Sequence, residues 1–148
     1  MIGVEKMKLV HTAELEDHIV EEFFEDKWID LPDKHSLKQY GKFVEYQNEY
    51  KAFFALAPVQ EQGYWLKSLY IKEGAPPSFP LAIIEASISL AKEQGGQDLF
   101  IYSHQQSLSS LLSLMQFKHQ QAPAFAEGTQ LTQGTWWKVD VTKVPQPK

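Results

Sequence analysis

Apolar positions along the chain keep two rhythms, one of four residues and one of two. Leu15, Ile19 and Phe23, with Val20 and Phe24 beside them, fall four apart and predict a helix from about Thr12 to Trp28. Thr12 stands where its N-cap belongs, with Glu14, Glu16 and Asp17 near the positive end of the helix dipole. Asp30-Leu31-Pro32 stops it, and a shorter helix is predicted over Asp33–Tyr40, ending at Gly41. Met7–His11 reads as a strand before these helices. Lys42–Gln47 and Tyr50–Val59 read as two more after them, joined by a tight turn at Asn48-Glu49.

The middle of the chain carries the strongest pattern. Tyr64–Ile71 is an apolar, β-rich run, and Lys72–Pro80 is a turn-rich break. Leu81–Gln94 has helical spacing and is closed by Gly95-Gly96; Leu99–Ser103 is a short buried strand, and Ser107–Phe117 is a second amphipathic helix. Two strands bracketing one helix predict a parallel crossover, and ligands of open α/β sheets collect at the carboxyl ends of such strands. That reasoning places a candidate site at a mouth formed by Ile71–Pro80, His104 and the start of the last helix. Gln120–Phe125 and Thr135–Val141 predict a closing hairpin around Glu127-Gly128. The predicted order is β, α, α, β, β, β, α, β, α, β, β. This is an α/β chain whose mixed, mostly antiparallel sheet of about seven strands has helices on both faces. One domain over residues 1–148 is expected, with residues 1–5 and 143–148 frayed.

Composition narrows the function. A net charge of −5 argues against general nucleic-acid binding, which needs clustered cations. All 14 cationic side chains are lysine, so a bound phosphate would be held by lysine, hydroxyls or backbone N–H groups, without a guanidinium fork. The absence of cysteine excludes disulfides and thiolate chemistry. Histidines 11, 18, 35, 104 and 119 show no metal-ligand spacing, and no metal is assigned. No run is long enough to span a membrane and the N-terminal residues lack a signal peptide's apolar stretch, so a cytoplasmic protein is expected.

Three stretches carry a family resemblance. LKSLYI resembles the fourth strand of the GNAT family of acyl-CoA-dependent N-acetyltransferases. IIEASISLAKEQGGQDLFIYS is similar to its next helix and fifth strand, and SLSSLLSLMQFK to its last helix. The resemblance spans about Lys6 to Val141. It implies an N-acetyltransferase that moves an acetyl group from acetyl-CoA directly to a primary amine on a small molecule or peptide. It also implies that the main chain of Leu69, Tyr70 and Ile71 holds the cofactor's pantetheine arm. Ser78 and the N–H groups of Phe79 and Leu81 would meet its phosphates, and Gln105 stands near the family's asparagine at the last helix. His104 becomes the candidate base, with Tyr102 a second proton carrier.

The sequence also departs from the family pattern. The pyrophosphate loop is Gly74-Ala75-Pro76-Pro77-Ser78-Phe79-Pro80, whose three prolines delete three donors. The family's acid tyrosine maps to Leu112 and its glycine before phenylalanine to Gln116. A scaffold that has kept the fold as a catalytically inactive binding or regulatory domain therefore stands as the alternative. Acidic residues Glu21, Glu22, Glu25, Asp26, Asp30 and Asp33 fit either a cation-attracting acceptor region or a solvated helix face. Of the adjacent Trp136 and Trp137, one is expected in the core and the other on a groove or a homodimer partner.

Overall fold

The structure, a computed structural model, describes residues 7–31, 34–126 and 134–144. Strands β1 (Lys8–His11), β2 (Gly41–Tyr46), β3 (Glu49–Val59), β4 (Gly63–Ile71), β5 (Asp98–Ser103), β6 (Lys118–Gln120) and β7 (Thr135–Asp140) join in the order β1-β2-β3-β4-β5-β7-β6. The helices are α1 (Asp17–Phe24), α2 (Lys34–Tyr40), α3 (Phe79–Glu93) and α4 (Gln106–Leu114). The predicted mixed, mostly antiparallel sheet of seven strands is what the chain forms. β4 and β5 are its parallel pair; β1–β2, β2–β3, β5–β7 and β6–β7 run antiparallel. The chain divides into two compact units, Met1–Leu56 with Ser68–Phe79 and Ala57–Lys67 with Pro80–Lys148.

In the first unit the expected single helix of residues 12–28 is broken into three pieces. His11 Nδ1 accepts the Ala13 N–H at 3.1 Å, so the cap falls one residue early and opens only a 3-10 turn, Thr12–Glu14. Thr12 is buried and its hydroxyl makes no hydrogen bond. α1 then starts afresh after Glu16, whose carbonyl accepts the N–H groups of Ile19 and Val20. Glu25, at φ 54° and ψ −131°, ends α1 with a positive φ, and Glu25–Trp28 continues as a 3-10 helix. The β2–β3 turn lies one residue earlier than predicted. Gln47 and Asn48 both take positive φ, as a two-residue hairpin of primed type requires, and Glu49 already pairs with Tyr46.

The apolar face of α1 meets aromatic residues of the strands. Phe24 is their hub, with ring centroids 5.0 Å from Phe23, 5.1 Å from Phe53, 5.2 Å from Tyr70 and 6.0 Å from Trp28. Burial of such a ring contributes about 2–3 kcal/mol, and each edge-on pair adds about 0.5–1.5 kcal/mol. Gly41 is required where α2 enters β2, because a Cβ there would overlap the Leu37 carbonyl and the Phe53 ring.

In the second unit Phe100, Trp136 and Ala126 form a core with Trp65, Tyr102, Phe125 and Val59 around it. The strand predicted over Gln120–Phe125 stops at Gln120. Pro123 has no N–H for a ladder, and its carbonyl instead accepts the Ala126 N–H at 2.9 Å in a 3-10 turn. The hairpin turn predicted at Glu127-Gly128 lies outside the described residues. The expectation that one tryptophan of the pair faces outward is corrected. Trp136 and Trp137 are 4 % and 5 % exposed, Trp136 against Trp65, Tyr102 and Phe125 and Trp137 beneath the His119 ring at 4.0 Å. Both faces of β7 are thus covered.

Candidate functional site

The first unit supplies the end of β4 and the loop after it. The parallel register of β4 with β5 runs from Gly63↔Asp98 to Leu66↔Ile101 and ends there. Ser68, two residues on, takes φ 58°, a left-handed kink in a strand of L-residues. Beyond it, the Lys72 N–H donates to the Lys51 carbonyl of β3 at 2.8 Å. Alternate residues of a strand present their main-chain groups to opposite edges. Tyr70 and Lys72 therefore turn theirs to β3, and Leu69 and Ile71 turn theirs away from it. Leu69 and Tyr70 are half-buried and Ile71 is exposed. The Tyr70 ring packs on Phe24, and burial raises its phenol above the usual value.

The loop itself is built from two successive turns. The Lys72 carbonyl accepts the Ala75 N–H at 3.2 Å, and the Pro76 carbonyl accepts the Phe79 N–H at 3.0 Å. Gly74, at φ 88°, has open space around its Cα. The Phe79 N–H expected to face an anion is thus already engaged, and its ring is fully buried, edge-on to Tyr46 at 5.6 Å. Ser78 remains an exposed hydroxyl. Lys72 at the loop's entry lies 4.7 Å over the Phe23 ring and 3.7 Å from a Glu25 carboxylate oxygen. Glu21, Glu22, Glu25, Asp26 and Asp30 are all exposed, as a solvated face requires; Asp33 lies outside the described residues.

The second unit supplies the corner between β5 and α4, and the first turn of α3, where Leu81 is exposed. Tyr102 and His104 share one side of the chain, their rings 6.5 Å apart; Tyr102 is half-buried against Trp136 at 5.3 Å, and His104 is exposed. Between them Ser103 is buried. Its hydroxyl donates to the Gln105 carbonyl at 3.0 Å, accepts the Gln105 N–H at 3.3 Å and meets the Ser109 hydroxyl at 3.0 Å. Gln105, exposed and extended at φ −116° and ψ 134°, is the N-cap of α4, and its own side chain makes no capping bond. Leu112, at the acid tyrosine's position, is wholly buried. Gln116, at the glycine's position, takes φ 71°, so the left-handed helix end survives without glycine. The Phe117 N–H there donates back to the Leu112 carbonyl at 3.0 Å.

Each unit thus gathers a subset of the predicted residues: Leu69, Tyr70, Ile71, Ser78 and Phe79 in one, Leu81, Tyr102, His104 and Gln105 in the other. Two serines escaped the sequence reading. The signal for Ser68 was the parity of YWLKSLYI, where the apolar rhythm slips across Lys67-Ser68. Ser103 was marked by following Leu99 and Ile101 on their inward face. Among the described residues, no group of histidines and carboxylates is arranged to hold a metal.

No family model matches the sequence, and no curated protein matches it. Solved structures do. N-acetylglutamate synthase from Neisseria gonorrhoeae, complexed with coenzyme A and N-acetyl-glutamate, aligns over 91 % of this chain with a TM-score of 0.70 at 10 % identity. This chain spans only 35 % of that protein's length. A Bacillus subtilis acetyltransferase in complex with CoA aligns over 91 % of this chain and 97 % of its own, with a TM-score of 0.67 at 17 % identity. A GNAT family acetyltransferase from Elizabethkingia anophelis with acetyl-CoA bound aligns over 92 % of this chain and 99 % of its own, with a TM-score of 0.65 at 15 % identity. The chain has the fold of the GNAT acetyltransferases.

Proposed function

We propose that the protein is an acyl-CoA-dependent N-acetyltransferase acting on a primary amine of a small molecule or peptide, in the cytoplasm. The observation that carries this reading is the positive φ at Ser68, two residues past the last β4–β5 pair, with the main chain of Leu69 and Ile71 turned away from β3. Backbone groups so turned suit the amides of a pantetheine arm and can polarise an acyl carbonyl. Fold relatives crystallised with CoA or acetyl-CoA support the same cofactor. Acetyl-CoA, when bound, supplies an acetyl group activated as a thioester.

The protein's own residues then have separable roles. Leu69 and Ile71 hold and orient through their main chain, with Tyr70 as the packed anchor between them. Ser78, Leu81 and Gln105 are the polar and exposed groups available to the carrier's more distant parts, and Phe79 serves by packing rather than as a donor. The incoming amine must be neutral to attack, and His104, exposed at the end of β5, takes its proton directly or through water. Tyr102 is the neighbouring hydroxyl for a proton path. With Leu112 buried where an acid would stand, the departing thiolate takes its proton from solvent.

The inactive reading is favoured by the loop, where Pro76, Pro77 and Pro80 lack N–H groups and the Phe79 N–H is engaged by Pro76. Titration calorimetry with acetyl-CoA separates the two. Binding at micromolar cofactor followed by thiol release with one member of an amine panel is the expected result. Binding without release across the panel favours the regulatory domain, and no binding at high micromolar cofactor excludes the enzyme.

A further inference from the structure

We infer that Ser103 is a positioning residue for His104, an inference that rests on the acetyltransferase reading and on the role given there to the imidazole. Ser103 is 2 % exposed, and its hydroxyl has every hydrogen-bonding capacity in use. Its one proton goes to the Gln105 carbonyl, and its lone pairs take the Gln105 N–H and the Ser109 hydroxyl. The Gln105 carbonyl also accepts the Ser109 N–H at 3.0 Å, which starts α4. Ser103, Gln105 and Ser109 thus close a ring of four hydrogen bonds that ties the last residue of β5 to the first turn of α4.

His104 is the residue inside that ring: the peptide that follows it donates its N–H to the ring, and the residue before it is held through its hydroxyl. The alternation of the strand then leaves the imidazole on the Tyr102 side, opposite the buried hydroxyl. An exposed histidine on an untethered strand end would sample many directions. Here its backbone is held by a group that cannot itself reach a ligand, and misplacing a reacting group by about 1 Å costs up to about 100-fold in rate.

The test compares Ser103→Ala with Ser87→Ala, which removes another buried serine hydroxyl that bonds a carbonyl, that of Ile83 at 2.8 Å within α3. In NMR spectra, with the His104 imidazole signals assigned by His104→Ala, Ser103→Ala is expected to move them toward the shifts of an unfolded histidine. Ser87→Ala is expected to leave them in place. Unmoved His104 signals in a folded Ser103→Ala protein overturn the inference. Should Ser103→Ala fail to fold, Ser109→Ala and Ser109→Thr replace it, the first moving the imidazole signals and the second restoring them; no movement in Ser109→Ala overturns the inference equally. In thiol-release assays at saturating acetyl-CoA with an accepted amine, Ser103→Ala is expected to lower kcat about 10- to 100-fold, and to add nothing to the kcat loss in a His104→Ala background. An equal further loss in that background overturns positioning through His104. Full activity of His104→Ala would instead remove His104 as the base, while the NMR comparison still decides whether Ser103 fixes it.

Discussion

At Gln116 the backbone does what a glycine usually does. A non-glycine residue at φ 71° pays a steric cost of about 1–2 kcal/mol that glycine avoids. Gln116→Gly should therefore raise stability by about 1 kcal/mol, read as a higher urea midpoint at unchanged slope. A lower midpoint would mean that the exposed glutamine side chain supports the helix end. This position also shows what a sequence hides: the missing glycine looked like a lost feature, yet the conformation persisted because the Phe117–Leu112 hydrogen bond dictates it.

Asp140 is the second residue with a readable consequence. The Thr142 hydroxyl, donating at 2.6 Å, is the main cause holding its carboxyl below the usual value of 3.8, with the Thr142 N–H and Gln97 adding to it. A carboxyl whose folded value lies below its unfolded one stabilises the fold above the unfolded value. That contribution disappears as pH falls through the folded value. Asp140→Asn keeps an oxygen for Thr142 but removes the charge. The melting-temperature gap between wild type and Asp140→Asn should be present at neutral pH and close as pH falls below 3.8; a gap constant from pH 7 to pH 3 would contradict it.

Among the elements, β4 is where fold and proposed function depend on the same bond rotation. Ser68→Val should destabilise by about 1–3 kcal/mol, because a β-branched residue resists a left-handed φ. Acetyl-CoA affinity should fall with it as the kink straightens. Ser68→Gly should retain affinity, and calorimetry on the two variants checks both statements. Retained affinity in a folded Ser68→Val protein would dissociate the kink from cofactor binding. Helix and strand identities were largely legible here because long periodic runs such as 81–94 and 50–59 leave little ambiguity. Their ends were not. His11 capped where Thr12 was expected, Gln47-Asn48 turned where Asn48-Glu49 was expected, and the strand expected over Gln120–Phe125 formed instead at Lys118–Gln120, ahead of Pro123. In each case a hydrogen bond or a missing donor, invisible to periodicity, set the boundary.

For the whole molecule, the sequence of elements and the parallel β4–β5 pair followed from local patterns, since a strand–helix–strand run of that length permits little else, whereas the place of β7 between β5 and β6 did not. The candidate site was legible as positions, less so as chemistry. His104 could be named from its place after a strand and Leu69–Ile71 from the resemblance of LKSLYI, whereas the positive φ of Ser68 and the hydroxyl network of Ser103 are not reported by composition. A ligand that binds only the folded chain raises its stability by about 2.7 kcal/mol at 100 times its Kd. Acetyl-CoA should therefore lift the melting temperature in a concentration-dependent way, measured by calorimetric scans; a flat response up to millimolar cofactor would count against the enzyme.

The tryptophans make one more experiment possible. Trp28 is the lone indole chromophore of the first compact unit, while Trp65, Trp136 and Trp137 belong to the second, with Trp65 and Trp136 only 5.3 Å apart. Rings that close couple their electronic transitions, so the second unit carries its own optical signature in circular dichroism, and Trp28 emission, isolated by replacing the other three with phenylalanine, reports on the first. The molecule thus comes with two built-in colour channels, through which the melting of either half can be followed without attaching a dye.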